Sequence, residues 1–224
     1  MKIVVSVGGS VLARTLVAEK FIGYASAIKE ISRKGSVFIV TGGGLAARNY
    51  IAVARELGAD EASCDLIGIE LTRLNARLLI SALGDDAYYE PPLNYKEAKN
   101  AGLTGKIVVM GGVTPGQTTD AVSAILAEYI GADLLVNATS IDGVYSSDPK
   151  KNRDAKKFDT LTPQQLVEIV MKTEMVAGAN SPVDLLAAKI IERSNIKTIV
   201  LNGEDPQNII DAVSGKHNGT VIKK

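Results

Sequence analysis

Apolar positions along this chain alternate between two periods. Ile3 to Val7 is a short, β-branched apolar run, and Phe21, Tyr24, Ala25, Ile28 and Ile31 then recur at helical spacing. Val37 to Thr41 predicts a second strand, followed by Gly42-Gly43-Gly44 and a helix from about Leu45 to Leu57. Leu66, Ile67, Leu71, Leu74, Leu78 and Leu79 place a long helix over residues 61–83. Lys106 to Met110, Leu134 to Ala138 and Ile196 to Leu201 predict further strands, with a helix from about Asp120 to Tyr129 between the first two. Strands and helices in alternation predict an α/β fold, a three-layer αβα sandwich around a central, mainly parallel sheet.

Helix starts are marked by their capping chemistry. Thr162-Pro163-Gln164-Gln165 has a capping hydroxyl, a proline at the first helical position and a glutamine three residues after the cap. Ser181-Pro182 and Asp205-Pro206 repeat the cap-then-proline pattern. Residues 85–105, with Pro91, Pro92, Asn94 and Gly102, are the least regular stretch and read as a variable connection or a surface flap.

Composition narrows the functional classes. With 25 Lys+Arg against 25 Asp+Glu the formal net charge is zero, so no global field draws nucleic acid or anionic membrane to the chain, and an anionic ligand must be held by local groups. Met1-Lys2-Ile3-Val4-Val5 starts a strand directly, so no signal peptide is expected, and no apolar run is long enough to span a bilayer. The one cysteine, Cys64, excludes an internal disulfide and fits a cytoplasmic location. The one histidine, His217, stands near the carboxyl end, which argues against a His-based metal site or a Ser-His-Asp triad; no metal-ligating residues are expected.

Three glycine-rich loops each follow a predicted strand: Gly8-Gly9-Ser10, Gly42-Gly43-Gly44 and Gly111-Gly112 through Thr119. Glycine lets backbone N–H groups approach an anion closely, and a helix starting just beyond adds donors and a favourable dipole. A fourth segment, Thr139 to Pro149, follows the strand ending at Ala138 and offers Tyr145, Asp142, Asp148, hydroxyls and an Asp142-Gly143 pair. It reads as a nucleotide contact, as a β-hairpin turning at Asp-Gly, or as both. No loop has the P-loop pattern, and Arg48 stands where a dinucleotide fingerprint needs its third glycine. Arg48, in the helix after its loop, can reach back to phosphates at the helix start.

In order, Val7-Gly8-Gly9-Ser10, Thr41 to Gly44 with Arg48, Asp65-x-x-Gly68-Ile69-x-x-Thr72-Arg73-x-Asn75-Ala76, Gly111-Gly112-x-x-Pro115-Gly116-x-Thr118-Thr119-Asp120-Ala121, and Asp142-Gly143-Val144-Tyr145-x-x-Asp148-Pro149 resemble the amino acid kinase family, and within it the archaeal-type uridylate (UMP) kinases. The resemblance runs from Gly8 to about Thr220. It implies the amino acid kinase fold over residues 1–224 as a single kinase domain, with UMP bound mainly by the N-terminal part and ATP mainly by residues 130–224. It implies that Gly9, Ser10, Gly44 and Arg48 contact ATP phosphates and that Thr139, Ser140, Tyr145 and Asp148 hold its adenosine. Gly43, Asp65 and the loop Val113, Thr114, Pro115, Gly116, Gln117, Thr118 and Thr119 would hold UMP. Arg48 and Asp184 would act in catalysis, Asp184 by orienting phosphate-binding groups, although it also reads as a helix cap. Asp65 likewise reads either as a ribose acceptor or as a carboxylate near a helix N-terminus.

The implied reaction is reversible transfer of the ATP γ-phosphate to UMP, giving UDP and ADP on the route to CTP, with Mg2+ and in a homo-oligomer, a hexamer by resemblance. A phosphate acceptor with its second pKa at about 6 is mostly ionised at neutral pH and needs no general base. Many relatives carry a lysine two residues before the first Gly-Gly pair, where this chain has Ser6, so Arg48, magnesium or one of Lys150, Lys151, Lys156 and Lys157 would have to replace it. The alternative class is a nucleotide-binding storage or regulatory protein of the molybdenum storage type, or a family kinase with another small acceptor. A storage cavity would need more histidine than this chain has.

Overall fold

The computed structural model describes residues 1–149, 151–174 and 183–224. In chain order its elements are β1 (Lys2–Val7), α1 (Gly9–Leu12), α2 (Ala18–Ser32), β2 (Ser36–Thr41), α3 (Gly44–Glu56), α4 (Glu61–Leu83), α5 (Tyr95–Gly102), β3 (Val108–Met110), α6 (Thr119–Ile130), β4 (Leu134–Thr139), β5 (Thr160–Leu161), α7 (Pro163–Glu174), α8 (Leu185–Ser194), β6 (Thr198–Asn202), α9 (Gln207–Val213) and β7 (Thr220–Ile222). They build a seven-stranded sheet in the order β3-β2-β1-β4-β6-β7-β5. Every pairing is parallel except β6 with β7.

Alternation along each strand sends side chains to two separate cores. Ile3, Val5, Ile39, Val136 and Ile199 meet α2, α4 and α9 on one face. Val4, Val40, Leu135 and Val200 meet α5, α6, α7 and α8 on the other. β1 is buried on both faces, which is why its sequence is a continuous apolar run with no amphipathic alternation. The three-layer, mainly parallel architecture expected from the alternation of periods is the one observed. Ser6 follows Val4 at the strand period and so faces the α6–α8 layer.

The reading of residues 85–105 as a bare connection is incomplete, because they hold α5. Asn94 accepts from the Glu97 N–H at 2.9 Å, and Glu97 accepts from the Leu93 N–H at 2.8 Å. This reciprocal cap starts a helix too short to show a clear apolar period. β5 and β7 were also unpredicted, being only two and three residues long. Ser181 and Pro182 lie outside the described residues, and α8 starts later than that pair implies, at Leu185 with Asp184 as its cap. At Asp205-Pro206 the pattern holds, since the Gln207 N–H donates to Asp205 at 2.9 Å just ahead of α9.

The Thr162 cap forms as predicted. The Gln165 N–H donates to Thr162 Oγ1 at 3.2 Å, and the Thr162 N–H donates to Gln165 Oε1 at 2.8 Å. Thr162→Ala is expected to cost about 1 kcal/mol, lowering the melting temperature by about 2–4 °C for a chain of this size. Differential scanning calorimetry of the variant checks it.

Candidate active site

β1, β2, β3 and β4 run parallel, so all four end at the same sheet edge. The chain leaves β1 for β2 on one side and later lays β4 on the other, and ligands settle at such a reversal of strand order. The loops begin as continuations of the ladder. The Gly42 N–H donates to Val7 O at 2.9 Å and the Gly8 N–H to Ala138 O at 2.9 Å. Gly9 and Gly44 then bring two backbones into contact. A Cβ on Gly9 would stand 2.0 Å from Gly44 N; Gly44 has φ +70°, and its Cβ would stand 2.4 Å from Ala13 O. No other residue fits at either position.

Above this contact lies a cleft of about 500 Å³, lined by Gly9, Ser10, Gly42, Gly43, Gly44, Ala47, Arg48, Asp65, Gly68, Ile69, Thr72, Gly112, Gln117, Thr118 and Thr119. The N-termini of α3 at Gly44 and α6 at Thr119 both open into it, so unpaired N–H groups and two dipoles favour an anion there. Of the residues singled out from sequence, the cleft gathers Gly9, Ser10, Gly43, Gly44, Arg48, Asp65, Gln117, Thr118 and Thr119. Gly116 joins them through its N–H, which donates to Asp65 Oδ2 at 2.7 Å. Asp65 is not the cap of α4. That role belongs to Asp60, which accepts from the Ser63 N–H at 2.7 Å, leaving Asp65 to face the cleft one turn later. Val113, Thr114 and Pro115 do not line the cleft. Val113 packs against the core, and Thr114 O receives the Gln117 N–H at 3.3 Å in the turn that carries the loop over.

Two side chains outside the glycine motifs hold this loop in place. Asp184 caps α8 by accepting from the Ala187 N–H at 2.9 Å, and its other oxygen accepts from the Thr118 hydroxyl. Thr118 in turn caps α6 by accepting from the Ala121 N–H at 3.1 Å. Tyr95 of α5 donates to Gln117 Oε1 at 2.9 Å. Tyr95 escaped the sequence reading because it sits in the irregular stretch. The Asn94–Glu97 capping pair was the available signal.

Beneath the cleft is a buried acid that the sequence reading passed over. The Ser6 hydroxyl donates to Asp120 Oδ1 at 3.0 Å, and both line a tight cavity with Asn137, Ser123 and Val183. Burial pushes the Asp120 carboxyl up to about 6; hydrogen bonds from Ser6 and Asn137 oppose the rise, and the charge of Asp184 adds to it. Thr118-Thr119-Asp120 at the start of a helix was a visible signal, but only the fold shows that Asp120 turns inward.

The Thr139 to Pro149 segment bends over residues 140–143, but Asp142-Gly143 is not the turn of the hairpin. Gly143 has φ +158°, which is extended backbone, and the strand-like pairing forms further along. Tyr145 bridges Lys157 in antiparallel fashion, with the Ser146 N–H donating to Lys156 O and the Phe158 N–H to Val144 O, both at 2.9 Å. The turn therefore lies within residues 147–155. Asp142 is instead an acceptor, taking the Tyr145 hydroxyl at 2.7 Å and the Lys157 ammonium at 3.0 Å. Partial burial would raise its pKa, but these two bonds hold it below the ordinary carboxylate value. Asp148, with Ser146, Ser147, Lys151, Asn152, Lys172 and Thr173, lines a second pocket of about 310 Å³. Thr139 closes β4, its carbonyl accepting from the Gly203 N–H at 2.7 Å, while Ser140 is exposed. Neither lines the cleft or this pocket. Among the lysines considered as replacements at Ser6, Lys157 is held by Asp142 and by Asn218 O at 2.8 Å, and Lys150 lies outside the described residues.

This sheet, with glycine loops and two helix N-termini closing on one cleft, defines a protein built to hold polyphosphate. The sequence matches the amino acid kinase family over residues 1–202, and the chain belongs to that family. It is 63% identical, over 95% of its length and 91% of the relative's, to the uridylate kinase of Methanococcoides burtonii. The crystal structure of uridylate kinase from Archaeoglobus fulgidus superposes with a TM-score of 0.91 at 53% identity, covering 99% of this chain and all of that one. The UMP kinase of Bacillus anthracis gives 0.82 at 25% identity, over 99% of this chain and 95% of that one.

The Asp120 environment makes a prediction about stability. Its folded pKa of about 6 lies above the ordinary 3.8, so between those values the folded protein holds more protons than the unfolded chain. Stability therefore falls as pH rises from about 4 to about 6 and then levels off. Asp120→Asn keeps the Ser6 bond and removes the ionisation, so it is expected to abolish that slope. It should stabilise the protein at pH 7 by about 1–3 kcal/mol, as urea unfolding across this pH range would show.

Proposed function

We propose that this chain is a uridylate kinase that transfers the γ-phosphate of ATP to UMP, giving ADP and UDP. The carrying observation is the cleft at the β1–β4 reversal, where glycine-loop N–H groups, Arg48 and Asp65 meet above two helix N-termini. The relative and the solved structure quoted above bear the same activity in their names. In this reading UMP occupies the cleft, with Asp65 toward the ribose and Gly116 to Thr119 around the phosphate. ATP lies along residues 130–224, its phosphates reaching Gly9, Ser10, Gly44 and Arg48 and its adenosine lying toward Tyr145 and Asp148.

The chemistry asks for little beyond placement and charge. The acceptor phosphate is already largely ionised, with its second pKa at about 6, so no base of the protein has to take a proton from it. Backbone N–H groups and Arg48 would hold two anions in line. Magnesium would supply further neutralisation of phosphate charge. Among the described residues no group of three or more His, Cys, Asp or Glu converges. That donor set suits an ion which takes most of its ligands from phosphate and water, with Asp184 and Asp120 as the carboxylates nearest the Thr118-Thr119 turn.

We place the chain, on the same reading, in pyrimidine nucleotide supply for CTP in the cytoplasm; no helix among the described residues is long and apolar enough to cross a membrane. We further assign it a homo-oligomer, a hexamer by family resemblance. An apolar groove of about 400 Å³ on α3 and α4, formed by Asn49, Tyr50, Val53, Ala54, Leu57 and Ile67, is the surface that association would cover. Leu57 is 83% exposed and Tyr50 62%, and a contiguous apolar patch of this kind marks an interface.

An ADP-release assay over nucleoside monophosphates and small acids is expected to show turnover on UMP; turnover on another acceptor alone would sink the assignment. Asp65→Ala should raise the KM for UMP by about tenfold or more while the KM for ATP stays within about twofold, the loss of roughly one charge-assisted hydrogen bond. An equal rise in both would remove Asp65 from the acceptor site. In sedimentation velocity the parent should run as a homo-oligomer and the pair Val53→Glu, Leu57→Glu as a smaller species. A monomeric parent would contradict the interface.

A further inference from the structure

Helix α4 lines the cleft with Asp65, Gly68, Ile69 and Thr72, and one turn further on it carries a polar residue that does not reach the cleft. Asn75 is 5% exposed and Thr72 7%, and both spend their hydrogen bonds on the loops. Asn75 Nδ2 donates to Gly42 O at 2.8 Å. The Thr72 hydroxyl accepts from the Gly112 N–H at 2.6 Å and donates to Ile69 O at 2.6 Å. The Thr41 hydroxyl, at the end of β2, donates to Thr72 O at 2.9 Å and shares that proton with Met110 O, at 3.3 Å, at the end of β3. Two glycine-rich loops and two strand ends are thus fastened to less than one turn of a single helix.

Peptide planarity makes these bonds directional. In a trans peptide the carbonyl oxygen and the following N–H point opposite ways. With Gly42 O drawn toward Asn75, the Gly43 N–H must point away from α4. Gly43 lines the cleft, and among the described residues its N–H has no backbone acceptor. The Gly112 N–H, in turn, is consumed by Thr72, which sets the direction in which the loop to Thr119 leaves β3. Glycine alone cannot hold either orientation, because it populates more of φ/ψ space than any other residue.

We propose that Thr72 and Asn75 are positioning residues for phosphoryl transfer: by pinning the Gly42 carbonyl and the Gly112 N–H, they aim the Gly43 N–H and the Gly112–Thr119 loop at the acceptor. Asn75 does not line the cleft, and Thr72, which does, has its hydroxyl committed to the Gly112 N–H and to Ile69 O. Their effect falls on the acceptor and on the rate of transfer, and leaves donor binding unchanged. The inference rests on the acceptor reading given above.

Asn75→Asp keeps the shape and replaces the donor with an acceptor facing Gly42 O. Thr72→Val removes the acceptor for Gly112, and Thr72→Ser restores it. For Asn75→Asp and Thr72→Val, kcat on UMP should fall by about 10–100-fold, the scale of a misplacement near 1 Å, and the KM for UMP should rise. The KM for ATP should stay within about twofold of the parent, and Thr72→Ser should keep kcat within about threefold. A folded Asn75→Asp or Thr72→Val protein with kcat and UMP KM within about twofold of the parent would overturn the proposal, whatever its melting temperature. So would Thr72→Ser failing as badly as Thr72→Val. If Asn75→Asp does not fold, the Thr72 pair decides. The parent's own turnover tests the UMP assignment separately: should it prefer another acceptor, the same variant-to-parent ratios apply to that acceptor.

Discussion

Two peptide backbones touch at Gly9 and Gly44, and the cleft is the space that this contact leaves above it. β1 and β2 are parallel, in register up to Val7 and Thr41, so the loops that follow them start about 4.8 Å apart. One continues into α1 and the other opens α3. With side chains present the loops would have to splay, and the N–H groups of the two would face different directions. Hydrogen-only side chains let both loops present backbone to the same point, which is the requirement for gripping a chain of phosphates without a lysine-bearing P-loop. Burying β1 on both faces makes the base rigid, and the chain's departure to opposite sides of β1 opens the room.

Bringing two polyanions together poses a charge problem, and Ser6 shows how this chain treats it. Strand alternation points Ser6 at α6, where Asp120 is buried. A lysine at that position would stand beside Asp120 and keep it ionised. With serine, the carboxyl is met only by the Ser6 hydroxyl and by Asn137, and burial lifts its pKa to about 6. With that pKa the carboxyl is still largely ionised at neutral pH, so serine leaves a buried carboxylate facing hydroxyl and amide donors. Positive charge at the mouth of the cleft then falls to Arg48 and to the helix N-termini of α3 and α6.

Much of this was legible in the sequence, for physical reasons that also mark the limits. Parallel strands buried on both faces read as apolar runs, and long helices read by their period, so β1, β2, β4, α3, α4 and α6 could be placed within a residue or two. The glycine loops were legible because three of them follow strands that end at one sheet edge, where a single one would read as packing. What failed was chemistry decided by partners distant in sequence. Asp142-Gly143 has the composition of a tight turn, yet Asp142 is taken by Tyr145 and Lys157, and the antiparallel pairing forms beyond it. Asp65 read as a ribose acceptor or as a carboxylate near a helix start, and Asp60 fills the cap of that helix. Asp120, Tyr95 and Asn75 act across 114, 22 and 33 residues of chain, and no local pattern records such contacts. Elements of two or three residues, β5 and β7, exist only because a neighbouring strand pairs with them.

Asp184 had two readings in sequence, cap or orienting carboxylate, and its two oxygens remove the choice. One accepts from the N–H that starts α8; the other accepts from the hydroxyl of Thr118, itself the cap of α6. The start of a helix in the carboxyl third and the start of the helix beneath the acceptor loop are therefore set by one side chain. A cap is a fixed point on its helix, because it satisfies N–H groups that have no other partner. Joining two caps transmits the position of one helix start to the other without any moving part. In the proposed division, with donor contacts after residue 130 and acceptor contacts before it, this single carboxylate is where the two halves of the reaction are held to a common geometry.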